Sequence, residues 1–184
     1  AMVVLVGALL AFTSSTLAPN IKTNKELEKQ QNILYAMGVN ENDESSAVFV
    51  STDRVESLFK EYITKQLEVQ GGAVKENDQA FLIDVKKEQA NSKSGKVRKL
   101  PVFIGEKDGK TYHIVPIRGK GLWDAIWGYV AMDDQMVIQG AIFDHKWETP
   151  GLGANIKQRF FMDDFVGEHL LDASGNFKGI TVSK

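Results

Sequence analysis

From Met2 to Ala18 the chain carries no charged residue, reading Met-Val-Val-Leu-Val-Gly-Ala-Leu-Leu-Ala-Phe before it turns to Thr13-Ser14-Ser15-Thr16. Its apolar character runs all round the helical wheel rather than in a stripe, unlike a surface helix of a globular domain. The stretch falls just under the ~20 residues that span a bilayer core as a helix. The favoured reading is a membrane anchor cut near its beginning: the chain opens at Ala1 without a basic flank, and on this reading the true start is expected upstream. Thr16-Leu17-Ala18 also suits a signal-peptide cleavage site, and a buried core helix is the third reading. Lys22, Lys25 and Lys29 follow the stretch, but orientation needs both flanks.

The remainder has the makings of one ordinary domain. The 184 residues are 43% hydrophobic and 25% charged with a net charge of −2, enough for a sizeable core. No run of Lys and Arg exceeds two residues, so there is no electrostatic footprint for nucleic acid. The absence of cysteine excludes disulfides, thiolate metal sites and cysteine nucleophiles. His113, His145 and His169 are scattered, without H-x-x-x-H or H-x-H spacing, so a zinc enzyme and a metal site in general are not expected.

Periodicity divides the chain into a helical and then a strand-rich part. Lys22 to Met37 reads as a helix stopped by Gly38, and Asn40 to Ser46 as a polar loop. Thr52 or Asp53 is placed to cap a second helix, in which Val55, Leu58, Phe59, Tyr62, Ile63 and Leu67 recur before Gly71-Gly72. Ala80 to Val85 and Leu100 to Ile104 read as strands, joined by a charged, mobile connector from Lys86 to Lys99. Asp108-Gly109 signals a hairpin into Tyr112–Val115, and Asp133-Asp134 a second one between 127–132 and 135–143. Lys157 to Leu171 reads as helical with Gly167 weakening its far end, and the turn Asp172–Asn176 leads to a final strand. The expected architecture is an α+β fold with a mainly antiparallel sheet and flanking helices behind the amino-terminal anchor helix. Its parts are an anchor over 1–19, a helical and variable region over 20–79, and a core over 80–184.

Two segments look chemical. In Pro116-Ile117-Arg118-Gly119-Lys120-Gly121-Leu122-Trp123, Gly-Lys-Gly allows close backbone approach or positive φ, and Trp123 adds a large flat surface. A tight inter-strand loop with Trp123 in the core accounts for the same residues. In Glu148-Thr149-Pro150-Gly151-Leu152-Gly153-Ala154-Asn155, introduced by His145 and Trp147, Pro-Gly and Leu-Gly build a turn with exposed N–H groups. Thr149 offers a hydroxyl and Glu148 a carboxylate acceptor; a plain Pro-Gly turn is the alternative, and neither common phosphate-loop template fits.

Taken together, Gly119-Lys120-Gly121-Leu122-Trp123 and His145-x-x-Glu148-Thr149-Pro150-Gly151-Leu152-Gly153 resemble the FMN-binding domain of the C subunit of the sodium-translocating NADH:quinone reductase. The G subunit of the Rnf electron-transport complex shares the Glu-Thr-Pro-Gly-Leu-Gly motif but is less similar in the first loop. The resemblance implies an electron-transfer subunit with no general acid or base and so no catalytic residue of its own. It implies partner subunits in a membrane redox complex of the bacterial inner membrane, one amino-terminal anchor, and a soluble domain on the periplasmic side. Gly121, Leu122 and Trp123 are expected on one side of the flavin, and Glu148, Thr149, Gly151, Leu152 and Gly153 on the other. Trp123, Trp127 and Trp147 are candidates to stack on the ring or fill the core, with core favoured for Trp127. The family esterifies the FMN phosphate to a threonine in Ser-Gly-Ala-Thr, which these residues lack: Ser174-Gly175-Asn176-Phe177 starts similarly but reads as a turn. Weak FMN binding or an empty site is therefore expected here. Outside the redox class, the readings are an extracytoplasmic binding module and a structural subunit.

Overall fold

The computed structural model describes residues 2–43 and 46–181. Its centre is one six-stranded antiparallel sheet of order β2-β1-β3-β4-β5-β6. The strands are β1 (Ile63–Gln70), β2 (Ala73–Glu76), β3 (Lys99–Lys107), β4 (Lys110–Lys120), β5 (Ala125–Met132) and β6 (Ile138–His145). The expected fold class is the one observed.

One face of the sheet is covered by α1 (Met2–Ala36), α2 (Val55–Tyr62) and α3 (Val85–Lys93). The register puts Phe103 beside Ile114, Ile114 beside Ala131, and Ala131 beside Gly140, so these residues share that face. Phe103 is fully buried and meets Phe59, Phe81 and Tyr129 edge-on. Helix α1 lies so close to β6 that a Cβ on Gly140 would fall well inside contact of the Ala36 carbonyl oxygen. On the opposite face Phe143 packs with Phe161 of α4 (Arg159–Asp163) and with Phe165.

The expected anchor and the expected Lys22–Met37 helix form one continuous helix with Pro19 inside it. Residues 2–25 are exposed, and this helix is long and apolar enough to cross a membrane.

Several local expectations are corrected. The second helix ends at Tyr62, and Ile63 begins β1, because its β-branched and alternating residues pair along β3. Neither Thr52 nor Asp53 caps it; Arg54 stands at the cap and makes no capping bond with its side chain. Ala80–Leu82 is a 3-10 turn rather than a strand, with the Ala80 amide donating to the Asn77 carbonyl. The Lys86–Lys99 connector is largely α3, nucleated where Asp84 accepts the amides of Lys86 and Lys87. Of the Lys157–Leu171 helix only α4 forms, and Gly167 at φ 86° lies beyond its end. Through Thr181 the final strand is reduced to a single bridge between Leu171 and Phe177; residues 182–184, like 44 and 45 of the polar loop, lie outside the described residues.

Candidate functional site

Strand pairing brings the two candidate segments together at one end of the sheet. β4 and β5 pair up to Lys120 and Ala125, so Gly121–Asp124 forms their connecting turn, closed by the Gly121 amide on the Asp124 carbonyl at 2.7 Å. β5 pairs with β6 as far as Ile126 and His145, so the chain leaving β6 runs beside that turn. The Lys146 ammonium then reaches the Asp124 carboxylate at 2.8 Å. This ion pair, together with the Ala125 amide, holds the Asp124 carboxyl below the usual aspartate range. No local pattern signals the pair, since only the register joins residues 22 apart.

Glu148 is the hinge pin of the site. It is 8% exposed, and its Oε1 accepts the Trp123 amide at 3.1 Å. The Glu148 amide itself donates to His145 Nδ1 at 3.2 Å, so that nitrogen is the acceptor of the imidazole. Gly121 and Gly153 flank the carboxylate, one at each oxygen: a Cβ on Gly153 would stand 2.6 Å from Oε2, and one on Gly121 would overlap Oε1. Gly121 and Gly153, one from each motif, thus answer to a close approach, but the approaching group is Glu148. Gly119 and Gly121 do not use positive φ. Gly151 does, at 77°, after Pro150 and with the Leu152 amide on the Thr149 carbonyl at 3.1 Å, the pattern of a type II turn. A second tie joins the loops where Trp123 Nε1 donates to Thr149 Oγ1 at 3.1 Å.

This framework holds large apolar side chains out of the core. Leu122 is 80% exposed, Trp123 67%, Trp147 70% and Leu152 73%. Trp123 is therefore no core residue. Trp127 stands apart from the loops, half-buried on the α1 face with the Arg118 guanidinium over its ring. Of the eight residues expected to bind the cofactor, Gly121, Trp123, Glu148, Thr149 and Gly153 are linked by these contacts. Leu122 and Leu152 are carried outward by the same turns, and Gly151 shapes the second turn with open space where a Cβ would stand. Among the described residues no cluster of His, Asp and Glu is placed to hold a metal.

The family model for an FMN-binding domain matches residues 121–182, which begin at the first loop and contain the second. The crystal structure of the Na(+)-translocating NADH-quinone reductase C subunit from Parabacteroides distasonis superposes with a TM-score of 0.76 at 35% identity, covering 91% of this chain and 77% of that one. The C subunit of the same reductase from Neisseria meningitidis serogroup B is 30% identical over 94% of this chain and 68% of the relative. Its counterpart from Haemophilus ducreyi is 29% identical over 96% and 71%. At these identities and coverages, the chain belongs to the family of the Na(+)-translocating NADH-quinone reductase C subunit.

Proposed function

We propose that this chain is the electron-transfer subunit of a sodium-pumping NADH:quinone oxidoreductase and receives FMN between the Gly121–Trp123 and Glu148–Gly153 loops. The observation that carries the reading is the pair of loops locked through Glu148, which leaves four large apolar side chains exposed around a rigid backbone. A flat aromatic ring would cover that surface, and the Thr149 hydroxyl, which already accepts from Trp123, keeps a proton to donate. The residues present therefore fit the group. When bound, the flavin supplies the electron acceptance and release; the protein's part is to position the ring and set its surroundings. Leu122 and Leu152 exclude water from the ring, Trp123 is held at a fixed angle by Thr149, and Glu148 keeps the two walls at a constant separation. No general acid or base is required of the chain.

The proposed organisation is an anchor over 1–19, a helical and variable region over 20–79, and the flavin-binding core over 80–184. The course of α1 supports a site that faces the membrane and its partner subunits. Ala36 lies over Gly140, whereas Glu28 shares a cavity with Asp144, so α1 runs antiparallel to β6. Its apolar part leaves the fold at the end that carries the two loops. We place the soluble domain on the periplasmic side of the bacterial inner membrane.

Residues 1–184 lack the Ser-Gly-Ala-Thr acceptor motif, so an ester to FMN would need a threonine outside them. Ser174 and Asn176 donate their amides to Asp172 Oδ1 in a turn, with Gly175 at φ 79°, which supports the turn reading of that segment. Two measurements test the proposal. Titrating FMN into the detergent-solubilised chain should quench flavin fluorescence, and Leu122→Ser with Leu152→Ser should abolish the quenching. The denatured mass of the protein from its native membrane should exceed the polypeptide by one esterified FMN. No quenching together with a bare mass would overturn the redox reading.

A further inference from the structure

A cavity of about 400 Å³ opens on the α1 face of the sheet, behind the hairpin that carries Trp123, and none of the flavin-loop residues lines it. Its floor is apolar and aromatic, formed by Pro116, Trp127 and Tyr129. Burial pushes the Tyr129 hydroxyl well above its usual range, so it stays neutral there. Four cations stand on the rim: Lys29 from α1, Lys86 from α3, Arg118 from β4 and Lys146 beyond β6. Only Asp84 faces them from the lining, and its Oδ1 is taken by the amides of Lys86 and Lys87.

Arg118 is the unusual member. Its guanidinium lies 5.9 Å from the Trp127 ring centroid and, among the described residues, makes no hydrogen bond or ion pair. The nearby Asp124 is bonded by Lys146, and Arg118 acts on it only through its charge. A half-buried cation stacked on an indole keeps its planar donor edge free, the geometry that suits a two-oxygen anion. Lys29 adds to this: its ammonium donates to the Phe81 carbonyl and sits over the Phe81 ring, and desolvation lowers its pKa to about 8. The charge of a neighbouring anion would offset the cost of that desolvation. A second hollow of about 250 Å³ shares Arg118 and Pro116 and contributes Arg98, extending the positive surface.

We propose that this cavity is a second binding site, separate from the flavin loops, for a phosphate or carboxylate carried on an apolar body, with Arg118 and Lys29 holding the anion and Trp127 the body. The volume falls in the range of small-molecule sites. The same chemistry is offered by a soluble amphipathic metabolite and by an anionic lipid headgroup near the point where α1 leaves the fold.

The test uses the full chain in detergent, with Trp123→Phe and Trp147→Phe leaving Trp127 as the only indole. Octyl phosphate is the probe; inorganic phosphate lacks the body and octyl glucoside lacks the charge. Octyl phosphate should shift Trp127 emission saturably, at a concentration at least tenfold below that needed by either control. Arg118→Gln and, separately, Lys29→Gln should weaken it at least tenfold while circular dichroism and the thermal midpoint stay unchanged. Equal response to octyl phosphate and octyl glucoside, or undiminished affinity in a folded Arg118→Gln protein, would overturn the assignment. In a last arm the chain is mixed with phosphatidylglycerol or phosphatidylcholine vesicles. A Trp127 shift with the first lipid alone identifies the headgroup as the source, and a response confined to octyl phosphate identifies a soluble one. Both support the site, whereas equal shifts with the two lipids count against it.

Discussion

Gly121→Ala and Glu148→Ala should be strongly coupled, because the side chain that one would add and the one that the other removes compete for the same space. The new Cβ overlaps Glu148 Oε1 and also stands 2.9 Å from Ile126 Cγ2 and 3.0 Å from the Asp124 carbonyl oxygen. Overpacking of this kind costs about 1–3 kcal/mol. Relief by swinging the carboxylate away breaks its bond to the Trp123 amide, and a hydrogen bond to a charged acceptor contributes about 1.5–3 kcal/mol. Glu148→Ala alone loses that same bond. The double variant loses it only once and keeps only the clashes with Ile126 and Asp124, so the two single costs should exceed the double cost by about 2 kcal/mol. For a chain of 184 residues that coupling corresponds to roughly 4–8 °C in the thermal midpoint. Unfolding of the four full-length proteins in detergent, followed by circular dichroism, gives the cycle directly. Costs that add to within about 0.5 kcal/mol would refute the pinning of the first loop by Glu148.

Gly140→Ala should destabilise by about 3 kcal/mol or more, since the clashing partner is the Ala36 backbone carbonyl, which cannot rotate aside as a side chain can. An unchanged midpoint in urea would place α1 farther from β6 than described. Lys146→Met should return the Asp124 carboxyl towards its ordinary range. Because that carboxyl is held low in the fold, its contribution is present above the unfolded aspartate pKa near ~3.9 and lost as the pH falls through the lower folded value. The variant should therefore lose less stability between about pH 5 and 3 than the parent does; parallel acid profiles would contradict the pairing.

The Asp108-Gly109 hairpin was legible because its turn is chemically explicit, whereas the strand expected from Gln135 begins at Ile138 after a longer turn. Asp108 and Gly109 both adopt positive φ, 53° and 74°, as the Asp-Gly pair signals. The failures lie where a short apolar run suits either periodicity. Ile63 to Leu67 continues the three- and four-residue spacing of α2, and only pairing with β3 turns it into a strand. Ala80 to Val85 is rich in β-formers, but Asn77 and Asp84 bond their neighbours' amides and fold the segment into a turn and a helix start.

The motif residues were visible in the sequence, while their division of labour was not. Gly121, Glu148 and Gly153 look like ligand residues when read along the chain, because glycines beside a carboxylate suit close approach to a phosphate or a ring. Folded, they are largely consumed by one another: the Glu148 carboxylate faces the Trp123 amide and the space that the two glycines leave open. That arrangement depends on the β4–β5–β6 register, which no local pattern encodes. The side chains left largely exposed are Leu122 and Leu152, the least distinctive members of the two segments by residue type, together with Trp147 just before the second. Substitutions within the Glu148 framework should therefore act first on stability and loop order, and substitutions at Leu122 and Leu152 on ligand affinity alone. A motif can be specific to a cofactor and still spend most of its residues on holding its own walls apart.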